Sequence, residues 1–143
     1  MSEPIRIKKE VKHHLPHPGQ VTAGAAGYDL VTSQQLRIHP GEQVMVPTGY
    51  AWEIPEDYCG RISSRSGLAR RYRLTVNAGL IDSDYRGEVC VLLENRGNKT
   101  FHAEAGERIA QMTIHSICTR PVKLVNSLNT TERNNQGFGH TGT

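Results

Sequence analysis

The chain has 143 residues, enough for one domain with a sizeable core and too few for two ordinary domains. A net charge of +3, with 22% charged and 36% hydrophobic residues, is typical of a soluble globular protein and gives no support to a genome-binding one. No apolar run approaches the ~18 residues that a membrane-spanning helix needs, and the N-terminus lacks the apolar block of a signal peptide. Three cysteines without C-x-x-C spacing favour reduced thiols inside a cell, in the cytoplasm or the nucleus.

In chain order, short apolar or alternating runs are separated by turn-prone clusters such as Pro40-Gly41, which predicts a mostly β protein. We predict strands at residues 5–7, 36–38, 44–46, 51–54, 74–76, 88–93, 109–114 and 122–125. One brief helix is predicted at residues 66–72, with Ser66 as its N-cap. Many short strands at even spacing are typical of a β-sandwich or barrel.

The most informative segment, residues 77–89, lies between two predicted strands and carries Asp82, Asp84 and Tyr85. A hairpin of this kind offers unpaired backbone groups at a polar tip, with a flat ring beside a carboxylate. This arrangement suits the reading of a planar base and the placing of a water molecule. An acidic turn with a solvated tyrosine is an alternative that these residues alone leave open.

Five arginines and no acid occur between Arg61 and Arg73. Arg65 lies among small residues, in the run Ser-Ser-Arg-Ser-Gly, where the backbone can approach an anion and the guanidinium can bind it bidentately. For the arginines that follow, a solvated basic face is the simpler interpretation. Aromatic residues are not interleaved with this segment, so a mononucleotide phosphate fits it better than a nucleic acid.

The C-terminal stretch from residue 126 is rich in Asn, Thr and Gly and cannot form a core of its own, which predicts a mobile arm. Within it, Arg133 and Phe138 suggest a lid that closes on a ligand, with the ring over a base and the guanidinium on phosphate. A frayed terminus is the alternative. No G-x-x-x-x-G-K-[ST] or G-x-G-x-x-G segment opens a helix, so phosphate binding here would not use those loops.

Five segments, taken together, resemble the trimeric deoxyuridine triphosphatases in order and spacing, from about the first strand to the C-terminus. These segments are residues 26–30, 65–69, 79–87, 106–111 and 133–142. The resemblance implies a distorted antiparallel jelly-roll or β-barrel at residues 1–126 and an arm at residues 127–143 that closes over the active site. It also implies a homotrimer with sites at the subunit contacts, and hydrolysis of dUTP to dUMP and pyrophosphate.

The same resemblance implies roles for individual residues. Asp82 corresponds to the catalytic carboxylate that activates water, Tyr85 to the ring that excludes a 2′-hydroxyl, and Asp29 to a supporting carboxylate. Mg²⁺ would be carried mainly by the triphosphate, with no direct protein ligand. Substrate binding would involve Arg65, Ser66, Gly67 and Gln111 from one chain, Gly79, Leu80, Ile81 and Cys90 of a second chain's hairpin, and Arg133, Phe138, Gly139, His140 and Thr141 of a third chain's arm.

The chain departs from the family pattern in three places, one of which is Ser64, where proline is common before the Arg-Ser-Gly triplet. Asn134, Gln136 and His140 replace two glycines and a serine of the arm, which bears on lid closure. Val76 stands where many bacterial members carry an asparagine, and Asn77 comes one residue later, so a side-chain contact to uracil does not carry over. Two other functions stay open, namely deamination of deoxycytidine triphosphate by a related fold and a nucleotide-binding regulatory role. The hairpin acids and the glycine-aromatic arm favour the hydrolase.

Overall fold

The structure is a computed structural model that describes residues 3–20 and 22–139. Within these ranges it contains ten strands and one helix, and no helix there is long and apolar enough to cross a membrane. The elements are β1 (Arg6–Lys9), β2 (Tyr28–Val31), β3 (Leu36–Ile38), β4 (Gln43–Glu53), β5 (Tyr58–Ser63), α1 (Ser66–Tyr72), β6 (Leu74–Asn77), β7 (Leu80–Ile81), β8 (Glu88–Asn95), β9 (Phe101–Ala103) and β10 (Arg108–Ser116).

The strands form two four-stranded sheets, in the orders β1-β4-β8-β6 and β2-β10-β5-β7, and a two-stranded ribbon of β3 and β9. Every pairing is antiparallel. The all-β, antiparallel prediction is therefore confirmed. The prediction of a closed barrel is wrong for the described chain, because each four-stranded sheet ends in strands that have a neighbour on one side only.

The core lies between the sheets and follows the period-two alternation of the strands. In β8, the buried positions are Val89, Val91, Leu93 and Asn95, and the residues between them are half-buried. Burial of each such aliphatic side chain stabilises the fold by about 1.5–3 kcal/mol. Across the two sheets, Tyr28 of β2 meets Trp52 of β4 edge to face, with ring centroids 5.7 Å apart. This contact packs the β1-β4-β8-β6 sheet against the β2-β10-β5-β7 sheet.

Two local predictions are wrong. Residues 122–125 form no strand, and Val122 and Leu124 are 99% and 97% exposed, because no neighbouring strand of the described chain pairs with them. Ser66 is not the N-cap of α1. Arg65 occupies that position in an extended conformation, and no side-chain hydrogen bond caps the helix.

Four strands, β2, β5, β7 and β9, do not follow from the sequence pattern. β5 illustrates the reason, because Gly60 interrupts its apolar pattern. A Cβ atom at Gly60 would lie 2.6 Å from the sulfur of Met112 and 2.8 Å from Cδ1 of Ile54. Glycine is thus required by the close approach of β10, a tertiary contact that a local pattern does not contain.

Candidate functional site

The predicted hairpin is present, and its tip is fixed to both sheets. β6 and β8 pair with Leu74 opposite Asn95 and Asn77 opposite Leu92. The connection contains β7, which pairs with β5, and the carbonyl of Gly79 accepts a hydrogen bond of 2.8 Å from the N–H of Ile62. A side chain at Gly79 would overlap the backbone of Ile62, so this approach requires glycine. The segment expected as a plain turn therefore includes an edge strand.

Five of the predicted site residues line one hollow of about 260 Å³ beside this edge strand, namely Leu80, Ile81, Asp82, Tyr85 and Cys90. The carboxylate of Asp82 is exposed, and Tyr85 is 44% exposed. Ligand pockets usually enclose about 300–1,000 Å³. The hollow is thus slightly small for a complete pocket, and it supplies one wall of a site.

The turn that carries Asp82 and Tyr85 is held by its own hydrogen bonds. The N–H of Tyr85 donates to the carbonyl of Asp82 at 3.2 Å, and the hydroxyl of Tyr85 donates to the carbonyl of Glu88 at 2.8 Å. The guanidinium of Arg86 donates to the carbonyls of Ser83, at 2.6 Å, and Tyr85, at 3.2 Å. The main chain of the turn and the ring of Tyr85 are consequently oriented before any ligand arrives.

Cys90 forms the apolar side of the hollow. Burial, and secondarily the nearby charge of Glu88, raises the pKa of the Cys90 thiol above its ordinary value. A raised pKa keeps the thiol protonated at neutral pH and makes it a poor nucleophile. Its contribution is therefore the shape of the wall.

Asn77 is engaged in the sheet and does not line the hollow. Its side-chain amide donates to Oε1 of Gln43 at 2.6 Å and to Oε1 of Glu94 at 2.9 Å. The hydrogen bond from Asn77 to Glu94, and secondarily one from Arg96 to the same carboxylate, lowers the pKa of Glu94. The side-chain amide of Asn77 is thus already hydrogen-bonded within the sheet.

A second group of predicted residues meets where β2, β10 and the end of β5 adjoin. The carboxylate of Asp29 lies 3.5 Å from Nε of Arg65, and Asp29 stands opposite Gln111 in the β2–β10 pairing. The side-chain amide of Gln111 donates to the carbonyl of Ser64 at 3.0 Å, just before Arg65. Ser66 and Gly67 follow at the exposed start of α1. Asp29 thus contacts the Arg65 guanidinium through Nε, and the Arg65 side chain stays 31% exposed.

Arg108 belongs to this group, although sequence reasoning did not assign it a role. Its Nη1 lies 3.4 Å from Oδ2 of Asp29. Arg108 and Gln111 are an odd number of residues apart and would face opposite sides of a regular strand. A register shift between Arg108 and Ala110 offsets this alternation and lets both side chains reach the Asp29 region. The only available signal was the position of Arg108 within the recognised 106–111 segment.

The described part of the arm forms a third group. The guanidinium of Arg133 donates to the carbonyl of Gln136, and Phe138 is fully exposed. Phe138 therefore covers no ligand site within the isolated chain. Gly139 has a left-handed backbone with φ 91°. The predicted residues His140 and Thr141 lie outside the described residues.

Comparison with known proteins adds independent information. The family model described as dUTPase matches residues 12–142. The chain is 41% identical to the deoxyuridine 5′-triphosphate nucleotidohydrolase of Caldanaerobacter subterraneus subsp. tengcongensis, across 99% of both chains. It is 45% identical to that of Rhizobium meliloti, across 90% of this chain and 88% of the relative. The solved Staphylococcus bacteriophage 80alpha dUTPase with dUPNHPP matches with a TM-score of 0.92 and 26% identity, covering 99% of this chain and 100% of the phage chain.

Proposed function

The chain belongs to the dUTPase family, and from this premise we propose that it hydrolyses dUTP to dUMP and pyrophosphate. The observation that carries the proposal is the hollow in which the exposed carboxylate of Asp82 and the ring of Tyr85 share one wall. A carboxylate and a sugar-sized aromatic surface are what a water-mediated attack on a deoxynucleotide requires. The names of the relatives and their near-complete coverage support the same substrate.

Asp82 acts as the general base in this proposal. It orients a water molecule and removes its proton as the oxygen attacks the α-phosphorus, and pyrophosphate leaves. General-base catalysis typically contributes about 10²–10⁴-fold. The turn that carries Asp82 is closed by the Tyr85 N–H and by Arg86, which supports a fixed main-chain position for Asp82 beside the hollow.

The uracil nucleobase is recognised by the main chain of the hairpin in this proposal. β7 is the outermost strand of its sheet, so one edge of Leu80 and Ile81 has backbone groups that no neighbouring strand uses. The carbonyl of Gly79 is already bonded to Ile62, and its role is to hold this edge in place. Cys90 lines the floor, and Tyr85 packs on the deoxyribose where a 2′-hydroxyl would clash.

The phosphates are bound by the group around Asp29. Arg65 donates bidentately to phosphate oxygens, with Ser66, Gly67 and Gln111 beside it, and Asp29 is the supporting carboxylate. The ion pairs of Asp29 with Arg65 and Arg108 support this assignment, because they orient the arginine without burying it. Arg108 shares the Asp29 carboxylate and adds positive charge on this side.

Mg²⁺ enters with the triphosphate. Among the described residues, no group of three or more His, Cys, Asp or Glu side chains could hold a metal ion. Mg²⁺ is commonly bound through substrate phosphates and waters, with one or two carboxylates. The ion would be held mainly by phosphate oxygens and waters, with no direct protein ligand, and would neutralise charge on the departing pyrophosphate.

The complete site forms between copies of the chain. The candidate residues fall into three separate groups: the hairpin, the phosphate-binding residues around Asp29, and the arm. A homotrimer would unite them if different chains contributed these groups to one shared site. Residues 1–126 form the β domain, and residues 127–143 form the arm that closes over the nucleotide. In the closed state, Phe138 stacks on uracil while Arg133, Gly139, His140 and Thr141 approach the terminal phosphate.

Pyrophosphate release tests the proposed function. Turnover is measured with dUTP, UTP, dTTP and dCTP in parallel, with and without Mg²⁺. We expect dUTP to be preferred over dCTP by roughly 10⁴–10⁵ in kcat/KM, because a cytosine edge leaves polar groups of the site unpaired. We expect UTP to be rejected because its 2′-hydroxyl would clash with the Tyr85 ring. Turnover of UTP or dCTP within tenfold of dUTP would contradict the proposal. Release of ammonia from dCTP, measured in a separate assay, would point to the related deaminase activity.

A further inference from the structure

Gly87 lies directly against the ring of Tyr85, two residues earlier in the chain. A Cβ atom at Gly87 would lie 2.5 Å from the Tyr85 hydroxyl oxygen, 2.7 Å from Cζ and 3.0 Å from Cε1. These three nearest atoms all belong to the tyrosine side chain. Gly87 is not among the glycines with a left-handed backbone, so alanine would meet no backbone strain there. The space beside Gly87 is therefore occupied by the outer end of the Tyr85 ring.

The hydroxyl end of the ring is anchored to a rigid part of the sheet. Tyr85 donates to the carbonyl of Glu88, and the Glu88 carboxylate accepts a hydrogen bond of 2.8 Å from the N–H of Gly49. Gly49 lies in an irregularity of β4, where Pro47 is opposite Cys90 and Ala51 is opposite Glu88. The carboxylate thus replaces a missing ladder bond and fixes the acceptor that the tyrosine uses.

We propose that Gly87 is a positioning residue that sets the sugar specificity of this site through Tyr85. Because Gly87 has no side chain, the Tyr85 ring can pack against the hairpin. In this position the Tyr85 hydroxyl reaches the Glu88 carbonyl, and the ring forms part of the wall of the hollow. The inference rests on the proposed function, since it concerns the wall against which deoxyribose packs. It assigns the discrimination between dUTP and UTP to two residues, the ring and the glycine beneath it.

A side chain at position 87 would displace the ring and leave the fold intact. Tyr85 is 44% exposed, so its ring has solvent-facing space into which it can rotate. The overlap involves the far end of a flexible side chain, which moves more easily than the backbone. Rotation would break the bond to Glu88 and widen the hollow on the sugar side, which relaxes the exclusion of a 2′-hydroxyl.

The test compares kcat/KM for dUTP and UTP in the wild-type protein, in Gly87→Ala and in Gly24→Ala. Gly24 is a matched control, because an added Cβ would meet no atom within 4 Å. We expect the dUTP-to-UTP ratio to fall by about tenfold or more in Gly87→Ala, which is the size of effect of one lost packing contact on selectivity. The ratio should be unchanged in Gly24→Ala, and both variants should unfold near the wild-type temperature.

A double variant separates positioning from a general structural effect. In the Tyr85→Ala background, Gly87→Ala should cause no further loss of selectivity, because the two residues act as one unit. Additive losses, an unchanged ratio in Gly87→Ala or failure of that variant to fold would each overturn the inference. Wild-type protein that leaves dUTP intact would instead refute the proposed function, and the inference with it. The wild-type measurement alone distinguishes these cases.

Discussion

The acids of the site occupy two contrasting environments. Asp82 is exposed at the hairpin, and its side chain forms no ion pair with a described residue, whereas Asp29 is paired with two arginines. The oxygens of Asp29 are already engaged by two guanidinium groups, whereas the Asp82 carboxylate is free to receive a water molecule from the hollow. Asp82 is consequently the better candidate for accepting a proton from water, and Asp29 for orienting Arg65.

The first prediction concerns the substitution Asp82→Asn. This change keeps shape and hydrogen-bonding capacity and removes the base, so kcat should fall by roughly 10²–10⁴ while nucleotide affinity changes little. Steady-state kinetics with dUTP and calorimetric binding of a non-hydrolysable analogue measure the two quantities. Asp84→Asn serves as the control and should have a much milder effect. Full activity in Asp82→Asn would transfer the role to another group.

A second prediction concerns the reactivity of Cys90. Because its pKa is raised, first by burial and then by Glu88, less of the thiol is ionised at a given pH above neutrality. Alkylation by iodoacetamide at pH 8 should therefore modify exposed Cys118 well before Cys90. Glu88→Gln removes the neighbouring charge, lowers the Cys90 pKa and should accelerate its alkylation. Mass spectrometry of timed samples measures both rates, and equal rates at the two sites would contradict the prediction.

Among the elements, the arm has more local order than a frayed end would require. Thr131 and Asn134 exchange two hydrogen bonds of 2.9 Å between side chain and backbone, and Asn134 has a left-handed backbone with φ 49°. Asparagine adopts this conformation more readily than most residues. Asn134 therefore adopts a backbone conformation that glycine also adopts readily, and the departure noted in the sequence does not prevent the turn.

The arm carries the third prediction. Deletion of residues 129–143 should leave a folded protein that still binds dUMP and hydrolyses dUTP poorly, because the lid over base and phosphate is missing. Phe138→Ala in the full-length chain should weaken dUTP binding by about 1–3 kcal/mol, the usual value of one stacked base. Kinetics and calorimetry on both proteins test this. Wild-type kinetics in the truncated protein would favour a terminus without function.

For the molecule as a whole, several apolar side chains of the isolated chain are almost completely exposed to solvent. Beyond the last strand, Val122, Leu124 and Leu128 are 85% or more exposed, and Phe138 is fully exposed. A contiguous exposed apolar surface usually marks a contact with another molecule, whereas single exposed apolar residues are ordinary. These four side chains are consistent with the proposed assembly, in which other copies of the chain would cover the segment.

The fourth prediction is a homotrimer with activity that depends on assembly. Analytical ultracentrifugation should give a mass three times that of the chain, and dilution that dissociates the trimer should abolish dUTP hydrolysis. Mixing two inactive variants, Asp82→Asn and the arm deletion, should restore part of the activity if one site draws on different chains. A monomer with full activity would contradict the shared site.

Local pattern determined the all-β class and the polar hairpin, because strand alternation and turn residues are properties of neighbouring positions. It also selected Asp82, Tyr85 and Arg65 as candidate site residues, because their chemistry is visible without a fold. Only the tertiary structure decided which strands pair, that Arg108 reaches Asp29 across a bulge, and that Gly87 lies under the Tyr85 ring. These features depend on contacts between segments far apart in the chain or on the direction of a side chain. Residues 122–125 illustrate the converse, since an apolar run becomes a strand only when a neighbouring edge accepts its hydrogen bonds.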